Sequence, residues 1–277
     1  MTVLSTGSVR IRPQHVETDG SPFAWWLLTS RRWTAPRPIN VYVIEHPEGL
    51  VLFDTGQDRA SLTDPEYFPR GLVRFLYGRL ASFDLGPTDT LTAQLASIGH
   101  DIADVRTVIL SHLHQDHIGG LPELGHAEIV VSATEWAQVS APLPELNGVL
   151  ADHVTLPGLR WTPVTTDPVV DPTIAPFTSA HDVRGDGSLV LLPTPGHTPG
   201  SLSLFVRMPG LRPLLLVGDL TYDVDLLWAG RIPGVGSRRG LRDSTRMVAQ
   251  LRAHYPDLVV LAAHDPAAGA LLDGARS

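Results

Sequence analysis

Short apolar runs recur along the whole chain, and most of them end at a charged residue, a glycine or a histidine. Runs of about four to eight apolar residues with such ends are typical of buried β-strands. Several runs lack the alternation of a half-exposed strand, which favours strands that are covered on both faces. The pattern predicts strands at residues 9–12, 40–45, 50–53, 105–110, 127–131, 187–192, 201–206, 214–218 and 258–263.

Between these runs, apolar residues at helical spacing predict helices at 69–82, 89–98, 134–140 and 242–254. Trp25 to Leu28 and Trp33 are interpreted as a loop, whose aromatic side chains either cover the core edge or line a substrate pocket. Residues 141–186, rich in Pro, Asp and Thr, are the least regular part. No linker divides the chain, so one α/β domain spanning residues 1–277 is expected.

The amino-acid composition excludes several classes of function. The net charge of the 277 residues is −8 and no basic tract occurs, so no nucleic-acid partner is expected. All 21 cationic residues are Arg, which excludes a lysine mechanism, and the lack of Cys excludes thiolate ligands. No apolar run approaches the roughly 20 residues of a membrane span, and residues 1–20 lack the apolar segment of a secretory signal. We therefore expect a cytoplasmic protein without a membrane partner.

One stretch concentrates metal-binding side chains. After the strand predicted at 105–110, residues 111–120 read Ser-His-Leu-His-Gln-Asp-His-Ile-Gly-Gly. Imidazole and carboxylate groups are ligands of divalent metals, and a buried strand supplies a rigid support. His112 and His114 are two residues apart, so they point to the same side of an extended chain, while Asp116 and His117 can face a second ion. The alternative is a surface loop that is merely rich in His.

Three further candidate ligands follow predicted strands. His197 lies in a Pro-Thr-Pro-Gly-His-Thr-Pro-Gly turn, Asp219 ends the run 214–218, and His264 follows the run 258–263. From about residue 40 to 266, the order of these pieces resembles the metallo-β-lactamase superfamily of mostly binuclear metal hydrolases. The resemblance implies a four-layer αββα sandwich, with residues 141–186 as an insertion at the rim of the site.

The resemblance also assigns the site residues. It implies two divalent ions per chain, zinc first, with iron, manganese and cobalt as alternatives. His112, His114 and His197 would bind one ion, Asp116, His117 and His264 the other, and Asp219 would bridge them. Asp116 would also be catalytic, passing a proton to the leaving group, and Asp54 would orient the ligands.

Tyr222 points to one branch of the superfamily. It stands three residues after Asp219, as in quorum-quenching N-acyl homoserine lactone hydrolases, where such a tyrosine donates a hydrogen bond to the lactone carbonyl. The alternative is that Tyr222 only begins the next helix and packs on it. We expect a metal-dependent lactonase that takes a small lactone or ester and opens it by attack of a hydroxide shared by the metals.

Other substrates stay open at this stage. A related enzyme acting on other esters, thioesters or phosphotriesters is the alternative, and a metal-binding scaffold or sensor is the non-enzymatic one. Gln115 departs from the lactonases that accept long acyl chains, in which a more apolar residue is frequent, so the acyl-chain preference is undetermined. Whether two copies form a homodimer is also undetermined.

Overall fold

The computed structural model describes residues 1–276 and contains two mixed β-sheets. The first sheet has the strand order β4-β1-β2-β3-β5-β6-β7, and the pairs β3–β5, β5–β6 and β6–β7 are parallel. Its strands are β1 Thr2–Ile11, β2 Arg37–His46, β3 Gly49–Phe53, β4 Ala81–Asp84, β5 Val105–Ile109, β6 Glu128–Ser132 and β7 Arg160–Val164. The second sheet consists of β8 Asp167–Pro168, β9 Ser179–Asp182, β10 Leu189–Pro193, β11 Leu202–Val206, β12 Leu214–Leu216 and β13 Val259–Leu261.

The second sheet runs β13-β12-β11-β10-β9-β8, and only β12 and β13 pair in parallel among these described strands. The α-helices are α1 Pro13–Val16, α2 Phe23–Thr29, α3 Ala60–Thr63, α4 Leu72–Leu80, α5 Leu91–Ser97, α6 Gln115–Ile118, α7 Ala133–Trp136, α8 Ala151–Val154, α9 Val224–Trp228, α10 Arg238–His254 and α11 Ala268–Asp273. Short 3-10 helices lie at Ile102–Asp104, Leu121–Glu123, Ala137–Ser140, Pro144–Asn147, Pro172–Ile174 and Gly218–Leu220.

The clusters of buried apolar residues show how the two sheets and the helices stack. Alternate residues of β3 point in opposite directions: Val51 and Phe53 join a buried cluster with β10 to β13 of the second sheet, whereas Leu50 and Leu52 join a cluster with α5. The other face of the second sheet packs against α9 and α10. Helices therefore cover the outer faces of two stacked sheets, which confirms the αββα sandwich. Within residues 1–276, no helix has the length and apolarity needed to cross a membrane.

The prediction of a loop at Trp25 to Leu28 was wrong. Residues 23–29 form α2 rather than a loop, with Trp26 and Leu27 buried and Trp25 65% exposed. Residues 141–186 are more regular than expected, because they contribute β7 to the first sheet and β8 and β9 to the second. Only part of this segment therefore remains available for the rim of a site.

Candidate metal centre

The His-rich stretch lies directly after the buried strand β5. The chain turns through Ser111 and His112 and then enters α6, which carries Asp116 and His117. The end of α6 packs closely on a neighbouring loop, where the Gly119 amide donates to the Gly56 carbonyl at 2.7 Å. A side chain at Gly119 would overlap the backbone of residues 57–58. Glycine at this position thus lets α6 lie close enough to be held in place.

The remaining predicted ligands come from the second sheet. His197 lies in the loop between β10 and β11, Asp219 in the 3-10 turn after β12, and His264 after β13. Because β12 and β13 are parallel neighbours, Asp219 and His264 leave the sheet at the same edge. The two sheets therefore bring ligands from opposite sides to one place.

A buried carboxylate joins the two ligand loops. Glu135 is fully buried, and its side chain accepts hydrogen bonds from the Leu113 amide at 3.1 Å and the Thr198 hydroxyl at 2.7 Å. It also accepts from the Gly200 amide at 3.1 Å. Leu113 separates two of the predicted ligands and Thr198 follows His197, so Glu135 fixes one loop relative to the other. Glu135 was not predicted as a site residue, because nothing local in the sequence distinguishes it from a glutamate at the start of a helix.

All seven predicted ligands meet in one cluster. Asp219 lies at its centre: Oδ1 is 3.4 Å from Nε2 of both His117 and His264, and Oδ2 is 3.5 Å from Nε2 of His197. One carboxylate thus faces both sides of the cluster. The ligand atoms form three groups, each with all atoms within 4.8 Å of one another: His112, His114 and His197; His112, His117 and Asp219; and Asp116, His117 and His264.

Hydrogen bonds outside the cluster orient the rings. Asp54 accepts a hydrogen bond from His117 Nδ1 at 2.8 Å and also binds the Ser111 amide and hydroxyl. Such outer partners select the ring nitrogen that faces a metal. The ring nitrogens with outer partners are His112 Nδ1 with Ser111 Oγ at 3.0 Å, His114 Nε2 with Asn147 O at 3.1 Å, His117 Nδ1 with Asp54, and His264 Nδ1 with Pro38 O at 2.9 Å.

Atoms that point into the cluster are left without partners. Nε2 of His112, Nε2 of His117 and Oδ1 of Asp219 are buried and make no hydrogen bond within residues 1–276. Buried polar atoms are normally paired, so such a concentration of unpaired ones indicates a missing partner. Imidazole nitrogens and carboxylate oxygens are donors suited to zinc and related divalent ions. The donor set therefore fits metal ions.

The electrostatics of the cluster keep three of these groups, His112, His197 and Asp219, in the form that binds a metal. Burial, and then the neighbouring imidazoles, hold the pKa of His112 well below its ordinary value, and burial does the same for His197, so both rings are neutral at pH 7. For Asp219, burial would raise the pKa, but His264 and His117 outweigh it and the carboxylate stays ionised. His117 behaves differently, because Asp54 and Asp219 overcome burial and raise its pKa.

Tyr222 reaches into the same cluster. Its hydroxyl donates a hydrogen bond to Asp219 Oδ2 at 2.7 Å, and its ring stacks on His264 with centroids 5.5 Å apart. Burial, together with the charge of Asp219, raises its pKa well above 10, so the phenol keeps its proton. Arg37, which the sequence analysis missed, donates to the carbonyls of Tyr222 at 2.6 Å and His264 at 3.3 Å. Tyr222 therefore contacts the cluster, and it does not begin α9, whose first residue is Val224.

A cavity of about 690 Å³ opens over the cluster. One part of its wall is polar, and there Asp116 and Tyr222 lie beside four other predicted ligands, His114, His197, Asp219 and His264. The other part is apolar and comes mainly from α2 and α4, including Phe23, Leu27 and Leu76. Residues 145–148 also line the cavity, so this short part of the predicted insertion does lie at the rim. His15 was missed as a lining residue because an isolated His near the N-terminus gives no local signal.

The stacked sheets and the His/Asp cluster define a metal-dependent hydrolase, and the chain belongs to the metallo-β-lactamase superfamily, whose family model matches residues 34–264. An N-acyl homoserine lactonase, AttM of Rhizobium radiobacter, is 33% identical over 236 residues, covering 84% of each chain.

Solved structures agree on the fold. A crystal structure of a mutant of B. thuringiensis AiiA, with N-decanoyl-L-homoserine bound at the active site, has a TM-score of 0.75 at 21% identity and covers 96% of this chain and 95% of the other. The structure of AidC, a dizinc quorum-quenching lactonase in complex with a product, has a TM-score of 0.62 at 18% identity, covering 96% and 87%.

Proposed function

We propose that this chain hydrolyses N-acyl homoserine lactones, opening the ring to give N-acyl homoserines. The observation that carries the proposal is the shared cavity, in which the His/Asp cluster and Tyr222 adjoin an apolar wall from α2 and α4. A lactone ring with an acyl tail has the matching division into a polar, reactive end and an apolar end. The similarity to AttM, which is named an N-acyl homoserine lactonase, supports the same substrate class.

Two divalent ions, zinc by preference, would complete the site. Their ligands would be His112, His114 and His197 for one ion, Asp116, His117 and His264 for the other, and Asp219 for both. When bound, such ions polarise a carbonyl oxygen and lower the pKa of water to about 7. The dizinc description of AidC supports zinc, as does the donor set of five imidazoles and two carboxylates.

Two residues of this chain would act on the substrate. The Tyr222 phenol keeps its proton and faces the cavity. With metal on the Asp219 carboxylate, its hydroxyl would give up the hydrogen bond to Asp219 and donate to the lactone carbonyl as negative charge develops there. Asp116 has a side chain 18% exposed, against 4% or less for its partners His117, His264 and Asp219. This exposure lets it reach a substrate and pass a proton to the leaving ring oxygen.

The substrate is tested with a pH-indicator assay, because opening a lactone releases one proton at neutral pH. The panel contains N-acyl homoserine lactones with C4 to C12 acyl chains, a thioester, a phosphotriester and a cephalosporin. We expect turnover of the lactones to exceed that of the other substrates. Rapid cleavage of the thioester, phosphotriester or cephalosporin without lactone turnover would contradict the lactonase assignment and leave the metal cluster in place.

The metal content is tested by elemental analysis of purified protein. We expect close to two divalent ions per chain, and loss of metal and of all activity in His197→Ala. An active wild-type protein with one ion or fewer would contradict the two-metal proposal. The single domain over residues 1–277 and the cytoplasmic location stay predictions from the sequence.

A further inference from the structure

His15 occupies an unusual position beside the metal cluster. It lies in α1, directly after β1, and only 8% of it is exposed. Its ring is close to two aromatic side chains, with centroids 5.3 Å from Trp26 and 6.1 Å from Tyr222. The ring planes are inclined by 66° and 68°, so both contacts are edge-to-face. His15 lines the cavity together with the predicted metal ligands, but it belongs to none of the three candidate metal groups.

Nδ1 of the His15 imidazole has no hydrogen-bond partner among the described residues. This nitrogen is buried and makes no hydrogen bond within residues 1–276. A buried polar group without a partner needs an explanation, such as a bound ligand. Burial lowers the pKa of His15 to about 4, so at neutral pH the ring is uncharged and offers one N–H donor and one acceptor nitrogen.

The surroundings of His15 restrict which kind of ligand group could form a hydrogen bond with its imidazole. On one side stands Tyr222, which contacts Asp219 in the cluster. On the other side stand Trp26 and its neighbour Leu27 in α2, which belongs to the apolar part of the wall. His15 thus offers a neutral donor and acceptor where the polar and apolar parts of the cavity wall meet. This position suits an uncharged polar group that links the reactive end of a substrate to its apolar chain. An amide is such a group, and it too has one donor and one acceptor.

We infer that His15 hydrogen-bonds the amide that links the acyl chain to the lactone ring, and that it thereby selects N-acyl lactones over lactones with a plain alkyl chain. The inference rests on the proposed function. His15 is a specificity-determining residue in this view, because the bond it makes is present in the bound substrate and in the transition state alike. Such uniform binding changes KM and leaves kcat nearly unchanged.

Gln115 also lines the cavity with an unpaired buried amide oxygen. It lies between the predicted ligands His114 and Asp116, so an effect of a substitution there could not be separated from an effect on the metal cluster. His15 lies on a separate element and offers a cleaner experiment.

The test compares two lactones that differ in the amide. N-decanoyl homoserine lactone carries it, whereas α-undecyl-γ-butyrolactone has the same five-membered ring with an alkyl chain of matching length on the same ring carbon and no amide. For His15→Leu we expect kcat/KM on the amide substrate to fall about tenfold through KM, the scale of one net hydrogen bond, with little change on α-undecyl-γ-butyrolactone. His15→Gln keeps a donor and an acceptor and should recover part of the loss. His126→Leu, which removes an exposed histidine outside the cavity, serves as the control.

Metal content and circular dichroism of each variant report whether the cluster and the fold are intact. An equal loss on both lactones, or a loss through kcat with reduced metal content, would overturn the role of His15 in amide recognition. No loss on the amide substrate would overturn it as well. If the wild-type protein opens neither lactone, the proposed function itself fails, and this result is distinct from the other outcomes.

Discussion

The contact between Gly148 and His114 offers a sharp test of how the metal site is held. Gly148 ends the 3-10 helix Pro144–Asn147, and its backbone has φ +86°, which favours glycine. The preceding carbonyl, that of Asn147, accepts the hydrogen bond from His114 Nε2 at 3.1 Å. A Cβ on Gly148 would overlap Cδ2 and Nε2 of the His114 ring and lie 3.2 Å from Cε1. Gly148→Ala should therefore displace either the ring or the carbonyl that orients it.

Gly148→Ala should lower both the unfolding free energy and the metal affinity, and Gly158 offers a control for the effect on unfolding. Gly158 has the same φ of +86°, but a Cβ there would meet nothing within 4 Å. Both Gly148→Ala and Gly158→Ala should lose roughly 1–2 kcal/mol of unfolding free energy, because alanine is strained in the left-handed region. Only Gly148→Ala should also lose metal affinity, by about 10–100-fold, as when the outer partner of a metal-binding histidine is removed. This loss corresponds to about 1.4–2.8 kcal/mol of binding free energy.

The two quantities are measured separately. Urea unfolding of the metal-free proteins in a strong chelator gives the backbone penalty, without the stabilisation that bound metal adds. Competition with a chromogenic chelator gives the zinc affinity of each folded protein. Equal zinc affinities for the two variants would refute the view that the close contact of Gly148 with His114 holds a metal ligand in place.

Three further predictions concern single side chains. Tyr222→Phe should lower kcat/KM by about 10–1000-fold without loss of metal, since only a hydrogen-bond donor is removed; unchanged kinetics would contradict its role. Asp116→Asn should lower turnover at saturating zinc by at least ~100-fold, measured by steady-state lactone hydrolysis, and near-wild-type turnover would exclude both of its roles. Burial lowers the pKa of His15 from 6.5 to about 4, so between these pH values the unfolded chain binds more protons than the folded one. The free energy of unfolding therefore falls as the pH is lowered from 6.5 to 4. We expect the unfolding free energy of metal-free wild-type protein, measured in urea, to fall between pH 7.5 and pH 4.5 by up to about 3 kcal/mol more than that of His15→Leu. The same pH dependence in wild type and His15→Leu would contradict this prediction.

The central strands and the candidate metal ligands were predictable because their signals are local. A strand buried on both faces must be apolar throughout, so β3 and β5 can be recognised wherever they occur in the chain. The His-rich stretch follows β5 within a few residues, and its spacing alone indicates a metal site. The order of the later ligands then pointed to the family.

Edge strands and α2 were not predictable in this way. β7 contains Pro163, which would break a ladder in the middle of a sheet but is tolerated because β7 lies at the edge. β8 contains Pro168 and is likewise an edge strand. In α2, Trp25 is exposed although it is as apolar as the buried Trp26, so the apolar pattern of the helix lacks a clear face.

Only the tertiary structure decided which distant residues complete the site. His15 and Tyr222 are far apart in sequence and lie with ring centroids 6.1 Å apart, and Glu135 joins loops that belong to different sheets. A sequence pattern records the preferences of neighbouring residues, whereas these contacts depend on how the two sheets and their helices pack. The sequence therefore determined the chemistry of the candidate metal ligands, and packing determined the cavity, the orientation of the rings and the unpaired imidazole beside them.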